Sequence, residues 1–139
     1  MALREVLQKI LEVTHFDAAR VYLLDPDGKE LRLKAYEGLS PEFASQTDRD
    51  LVGVGVIGRV VTTGKPAIFA DIQTDPQYAE LASGRMAQKA GFHGYISLPL
   101  KSKAKTLGVM NFLSHQLHEF STRDIALFSS MANQIGIAL

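Results

Sequence analysis

The chain has 139 residues, 46% of them hydrophobic and 22% charged, with fifteen basic and fifteen acidic side chains and no cysteine. A single domain of this size buries about two-thirds of its unfolded surface, and the composition excludes a disordered or low-complexity chain. A net charge of zero argues against a nucleic-acid reader, which carries a basic face, and no apolar run reaches the ~18 residues of a membrane span. The absence of cysteine removes disulfides, thiolate metal sites, cysteine nucleophiles and thioether cofactor attachment together. Met1-Ala2-Leu3-Arg4-Glu5 leads into charged sequence with no signal peptide, so a cytoplasmic setting without membrane contact is expected.

Leu3, Val6, Leu7, Ile10 and Val13 recur at helical spacing and predict an opening helix. The period then falls to two. Ala19, Val21 and Leu23 alternate with Arg20 and Tyr22, and Leu31, Leu33 and Ala35 alternate with Arg32, Lys34 and Tyr36. Joined by Asp25-Pro26-Asp27-Gly28, they predict an antiparallel hairpin with one wet face. Ser40-Pro41-Glu42 starts a short helix with a serine cap, and another short helix spans Val56 to Thr63, ended by Gly64. Ala67 to Ala70 reads as a strand, Asp71 to Gln77 as a polar loop, and Tyr78 to Ala90 as a helix. Tyr95 to Leu100 and Thr106 to Leu113 are two more strands, joined by a turn bearing solvated Lys101, Lys103 and Lys105. Ser121-Thr122-Arg123-Asp124 is a capping box, with Phe120 placed to staple onto Ile125. No charge occurs from Ile125 to Leu139, where Ile125, Phe128, Ala132, Ile135 and Leu139 form one stripe and Leu127, Met131 and Ala138 an adjacent one. This helix runs to the last residue without a cap, so residues 1–139 are expected to be one domain of a longer signalling protein.

The chemical motifs are weak. Gly53-Val54-Gly55-Val56-Ile57-Gly58 matches the dinucleotide fingerprint literally, but that mechanism needs a buried strand just before it, and Gln46 to Asp50 is polar. With Val60 it also fits a kinase glycine loop, yet no catalytic-loop counterpart follows. The run is read as a tight turn into a helix. His115 and His118, beside Glu119, lie between a strand end and a helix cap with no third ligand, so no metal is expected. His93 stands at the mouth of a strand, where a histidine can line a pocket or ligate haem iron; a structural role is favoured and haem is not expected. No nucleophile elbow or paired carboxylates occur on the strands, and nothing reads as a catalyst.

Several segments together resemble the GAF domain over essentially the whole chain. They are Asp17 to Asp25, Gly53 to Pro66, Ser97-Leu98-Pro99-Leu100, Leu107 to Phe112, and Phe120-Ser121 with Asp124. The set is most similar to GAF modules of bacterial sensor histidine kinases. The resemblance implies an α+β, PAS-like fold: an antiparallel sheet of five or six strands, the first and last helices on one face, and a pocket under short helices and loops on the other. Cyclic-nucleotide-binding relatives carry an Asn-Lys pair, a distant Phe and then Asp-Glu; here Asn111 is followed by Phe112, and Asp124 by Ile125, so that ligand is not expected. Bilin-bearing relatives and methionine sulfoxide reductases of this fold use cysteine, which is absent.

The function expected is a sensory, non-enzymatic module that passes a signal through its terminal helices to an attached output domain, a histidine kinase by this resemblance. The alternative is a ligand-free dimerisation and transmission module. Pocket candidates are Phe69, Asp71, Tyr78, Met86, His93, Tyr95 and Ser97, where apolar walls meet a few polar groups. Homodimer contacts are expected from Leu3, Leu7, Ile10, Ile125, Phe128, Ala132, Ile135 and Leu139. An unknown small molecule is the expected ligand, with no cofactor, metal or nucleic acid.

Overall fold

Alternating residues place six strands in one antiparallel sheet of order β3-β2-β1-β6-β5-β4. In this computed structural model, which describes residues 2–78 and 82–139, the strands are β1 (Ala18–Leu24), β2 (Glu30–Glu37), β3 (Arg49–Leu51), β4 (Ala67–Phe69), β5 (Gly94–Ser102) and β6 (Lys105–Ser114). The helices are α1 (Leu3–Thr14), α2 (Pro41–Gln46), α3 (Gly55–Thr63), α4 (Ala82–Lys89) and α5 (Thr122–Ala138). Of the helix expected over Tyr78 to Ala90, residues 79–81 lie outside the described residues, and Tyr78 precedes α4 in a turn. The sequence reading missed β3, a short exposed edge strand paired with β2.

Parity along the strands divides the residues between two faces. Ala19 and Val21 of β1, Ile96, Leu98 and Leu100 of β5, and Met110 and Phe112 of β6 share a core with α1 and α5. Arg20, Tyr22, Tyr95, Ser97, Val109 and Asn111 alternate with them and point to the opposite, inner face. A bulge in the β1–β2 pairing, between Val21 and Tyr22, splits β2: Ala35 packs with the helical layer, whereas Leu31 and Leu33 pack with Tyr22 on the inner face. The hairpin therefore has no simple wet face. Arg20 is 3% exposed and Tyr22 fully buried, because the inner face is covered in its turn by α2, α3 and the segment around Tyr78.

The caps form as the sequence predicts. Ser40 Oγ accepts from the Phe43 amide at 3.0 Å, and Ser121 and Asp124 complete a reciprocal capping box at the start of α5. Within one chain, Leu7, Ile10, Phe128, Ala132 and Ile135 pack against the sheet, and Ile10 and Ile135 also line an open groove with Val6, Met131 and Gln134. Leu3 and Ile125 are half-buried, and Leu139 is exposed. The exposed large apolar side chains on these helices are Val13, Leu127, Ile137 and Leu139.

Candidate functional site

Antiparallel register sets Arg20 of β1 opposite Asn111 of β6, and Asn111 opposite Ser97 of β5. Three polar side chains therefore run in a row across the central strands, all buried. Arg20 Nε donates to Asn111 Oδ1 at 3.0 Å, and its Nη1 donates to Tyr22 Oη at 3.1 Å and Thr47 Oγ1 at 3.4 Å. Tyr22 Oη in turn donates to the Thr47 carbonyl at the end of α2. The rings of Tyr22 and Phe43 stand 5.4 and 5.7 Å from the guanidinium carbon, within cation–π range. The Asn111 amide, oriented by Arg20, leaves Nδ2 buried without a hydrogen-bond partner.

Arg20, at one end of this row, borders a small cavity shared with Asp50, Gly55, Val56, Ile57, Arg59, Gln77, Tyr78, Gly84 and Tyr95. Its interior offers about 20 Å³, room for roughly one water-sized group. Phe69, Tyr78 and Tyr95 close one side as an edge-on aromatic trio with centroids 5.2 to 5.8 Å apart. Gly84 lies so close to Tyr78 that a Cβ there would press on its carbonyl and ring. Burial pushes the Tyr78 hydroxyl up to about 12 and Tyr95 higher still, so both remain protonated donors. Burial also raises the Asp50 carboxyl to about 6, against the opposing pull of Arg20.

The sequence-predicted residues fall into three groups. Tyr78 and Tyr95 line the cavity, with Phe69 packed edge-on against both and Ser97 in the buried row. Met86 packs into the apolar cluster around Phe43, Phe92 and Leu113. Asp71 and His93 bind each other, Oδ1 to Nδ1 at 2.9 Å, and neither belongs to the cavity wall. Arg20, Asp50, Asn111 and the leading residues of α3 were missed. Strand alternation marked Arg20 as solvent-facing, and only the presence of a second covering layer makes that parity an interior one. The glycine run does open a helix, and the edge strand before it is not buried. The tight turn nevertheless brings Gly55, Val56 and Ile57 to the cavity.

An antiparallel sheet with the terminal helices on one face and a polar cavity under short helices on the other is the GAF class of α+β fold. The GAF domain family model matches residues 2–139, and the chain belongs to that family. Among curated proteins, the chain is 34% identical to the Nif-specific regulatory protein of Azospirillum lipoferum over 109 residues, covering 78% of this chain and 17% of that protein. It is 31% identical to the Nif-specific regulatory protein of Herbaspirillum seropedicae over 139 residues, covering 96% of this chain and 26% of that protein. The chain thus spans about a quarter or less of these relatives.

Among solved structures, the GAF domain of a phosphoenolpyruvate-protein phosphotransferase from Coxiella burnetii superposes with TM-score 0.81 at 24% identity, over 97% of this chain and 78% of that one. A domain of a two-component sensor histidine kinase protein from Sinorhizobium meliloti gives 0.77 at 20% identity, over 99% and 90%. The free methionine-R-sulfoxide reductase of Neisseria meningitidis, solved with its substrate, gives 0.77 at 22% identity, over 98% and 74%. At these identities the structural likeness speaks for the fold alone. Among the described residues, no helix is long and apolar enough to cross a membrane.

Proposed function

We propose that this GAF domain is a sensory module of a cytoplasmic regulatory protein, binding a small polar molecule on the inner face of its sheet. The observation that carries the reading is the buried row Arg20–Asn111–Ser97 beside a cavity. Buried polar groups cost stability unless partnered, and a sheet that needed only a core would carry apolar side chains there. Among the described residues Asn111 Nδ2 has no hydrogen-bond partner, and Arg20 borders the cavity. A catalytic reading has less support: the fold has reductase neighbours, but this chain has no cysteine to do thiol chemistry.

Transmission follows from the two faces of β6. Asn111 lies on the inner face and accepts from Arg20 of the cavity wall, while its neighbour Phe112 packs in the helical core with its ring 5.1 Å from Phe128 of α5. A ligand that shifts β6 changes the seat of α5, and its differential affinity for the two seats sets the size of the signal. The output proposed is the effector part of a regulator like the Nif-specific proteins, ahead of the histidine kinase expected from the sequence. Exposed Leu127, Ile137 and Leu139 also favour self-association through α5.

A thermal-shift screen of small metabolites, followed by calorimetry, tests the sensory reading. A ligand at a hundred times its Kd stabilises the domain by about 2.7 kcal/mol, and Tyr78→Leu at the cavity wall should abolish the effect while leaving the fold intact. If no small molecule stabilises the domain, only the transmission role remains.

A further inference from the structure

We infer that the cavity beneath α3 is an anion site whose occupant is a small monocarboxylate, held by Nη2 of the Arg20 guanidinium and the leading amides of α3. This rests on the sensory reading and narrows it to one class of ligand.

The first observation is a buried charge that touches no carboxylate among the described residues, although Asp50 in the same wall acts on it at longer range. Arg20 is buried, and a guanidinium cannot shed its charge by deprotonating as a lysine can. All three of its hydrogen bonds go to neutral acceptors, through Nε and Nη1. Among the described residues no carboxylate oxygen lies within 4.0 Å of its nitrogens, and Nη2 donates to nothing. Buried charges are ordinarily paired, and this one borders an internal space.

The second observation comes from a different element. Gly55, Val56 and Ile57 line the same space and form the first turn of α3. The N-cap position is Val54, which supplies no side-chain acceptor for the amides of that turn. Helix amides without acceptors, backed by the helix dipole, attract negative charge. The protonated Tyr78 and Tyr95 hydroxyls stand in the same wall as further donors.

Size and charge select the anion. About 20 Å³ takes roughly one water-sized group, so only an oxygen of a small head group sits inside and the rest lies in the adjoining groove. Asp50 shares the wall and opposes a second negative charge, which favours a carboxylate over a phosphate dianion. With Nε and Nη1 taken by Asn111, Tyr22 and Thr47, the two N–H groups of Nη2 are left to donate to a carboxylate oxygen. An open groove of about 400 Å³ shares Val56, Arg59 and Gln77 with the cavity and continues past Thr63 and Lys65. The rest of a larger acid can lie there.

Acetate and propionate are titrated into the domain at constant ionic strength against chloride, with acetamide as a neutral isostere and phosphate as a competing anion, reading thermal shift and calorimetric Kd. Saturable stabilisation by the carboxylates, with none by acetamide or chloride, is the expected result. Arg20→Met should weaken acetate binding by about a hundredfold. Because that variant can fail to fold, Asp50→Asn is measured as well and should bind acetate about tenfold more tightly. Equal effects of acetate and acetamide, or phosphate binding more tightly than acetate, overturn the assignment. A neutral metabolite that binds saturably and is indifferent to Asp50→Asn overturns it while preserving the sensory reading. Absence of stabilisation by every solute overturns both.

Discussion

Arg20 and Asn111 face each other across β1 and β6, and the 3.0 Å bond from Arg20 Nε to Asn111 Oδ1 decides which way the amide points. With Oδ1 committed to the guanidinium, Nδ2 is turned away and left without an acceptor. The pair thus fixes the polarity of the inner face from one side. On the next residue of β6, Phe112 packs in the core with α5. The cavity wall at Arg20 and the seat of α5 are therefore joined by one hydrogen bond to Asn111 and one residue along β6.

That pairing predicts a coupling energy. Asn111→Leu leaves Arg20 Nε without its acceptor in a buried site and should destabilise the domain by about 2 kcal/mol. In an Arg20→Met background the same change should cost much less, because the charge it stranded is gone. Urea denaturation of the two single variants and the double variant gives the cycle. Strict additivity would show that the bond does not organise this face.

Asp50 gives a pH prediction. Burial raises its carboxyl from 3.8 to about 6, so the folded state favours the protonated form. The sign follows: its contribution is fully present below about pH 4 and is lost as pH rises through about 6, on the order of 2 kcal/mol. Among the described residues, the other ionisable groups of the cavity are Arg20 of β1, Arg59 of α3, and Tyr78 and Tyr95, with Tyr22 beside Arg20. Arginines stay charged and burial keeps the tyrosines neutral across this window. Asp50→Asn should therefore gain on the wild-type protein between pH 4 and pH 7 in urea midpoint. A constant difference over that range contradicts the assignment of this titration to Asp50.

The fold was legible in the sequence because its signals are local. The period change after Val13, the Asp25 to Gly28 turn and the Ser121 capping box each act within a few residues, and the elements they predict are present. The site was only partly legible because its decisive facts are long-range. Tyr78 and Tyr95 announce themselves as aromatic residues near a polar loop. Arg20 in an alternating strand looks like any solvated arginine until Thr47, Phe43 and Tyr22 enclose it. The β2 bulge is equally silent in sequence, yet it moves Leu31 and Leu33 to the face opposite Ala35. The stripe on α5 was legible as apolar; that part of it packs within its own chain was not. Phe128, Ala132 and Ile135 meet the sheet of their own chain.

Gly136 shows how tightly that helix is seated. Any Cβ at this position would overlap the Lys101 backbone of β5. Gly136→Val should push α5 off the sheet and cost about 3 kcal/mol, with strain rather than lost contact as the cause. Gly84→Val presses on Tyr78 instead, so it should alter ligand response more than the seating of α5. Thermal denaturation with and without a stabilising solute separates the two.

The last prediction concerns which face of α5 meets a second copy. Ile135 is 5% exposed and Ile137 is 74% exposed, though both lie on the same uncharged helix. Introducing an unpaired carboxylate into a buried position costs several kcal/mol, enough to remove most of a small domain's stability. Ile135→Asp should therefore unfold the domain at any concentration. Ile137→Asp leaves the core untouched and places the charge among exposed Leu127 and Leu139, where it costs nothing to a monomer but penalises a buried interface. Light scattering and sedimentation across a concentration series, alongside circular dichroism, give the comparison. Wild-type protein should associate as concentration rises, and Ile137→Asp should stay monomeric with unchanged ellipticity. A wild-type monomer throughout, or an Ile137→Asp variant that associates as well as the wild type, would leave α5 with only its packing on the sheet.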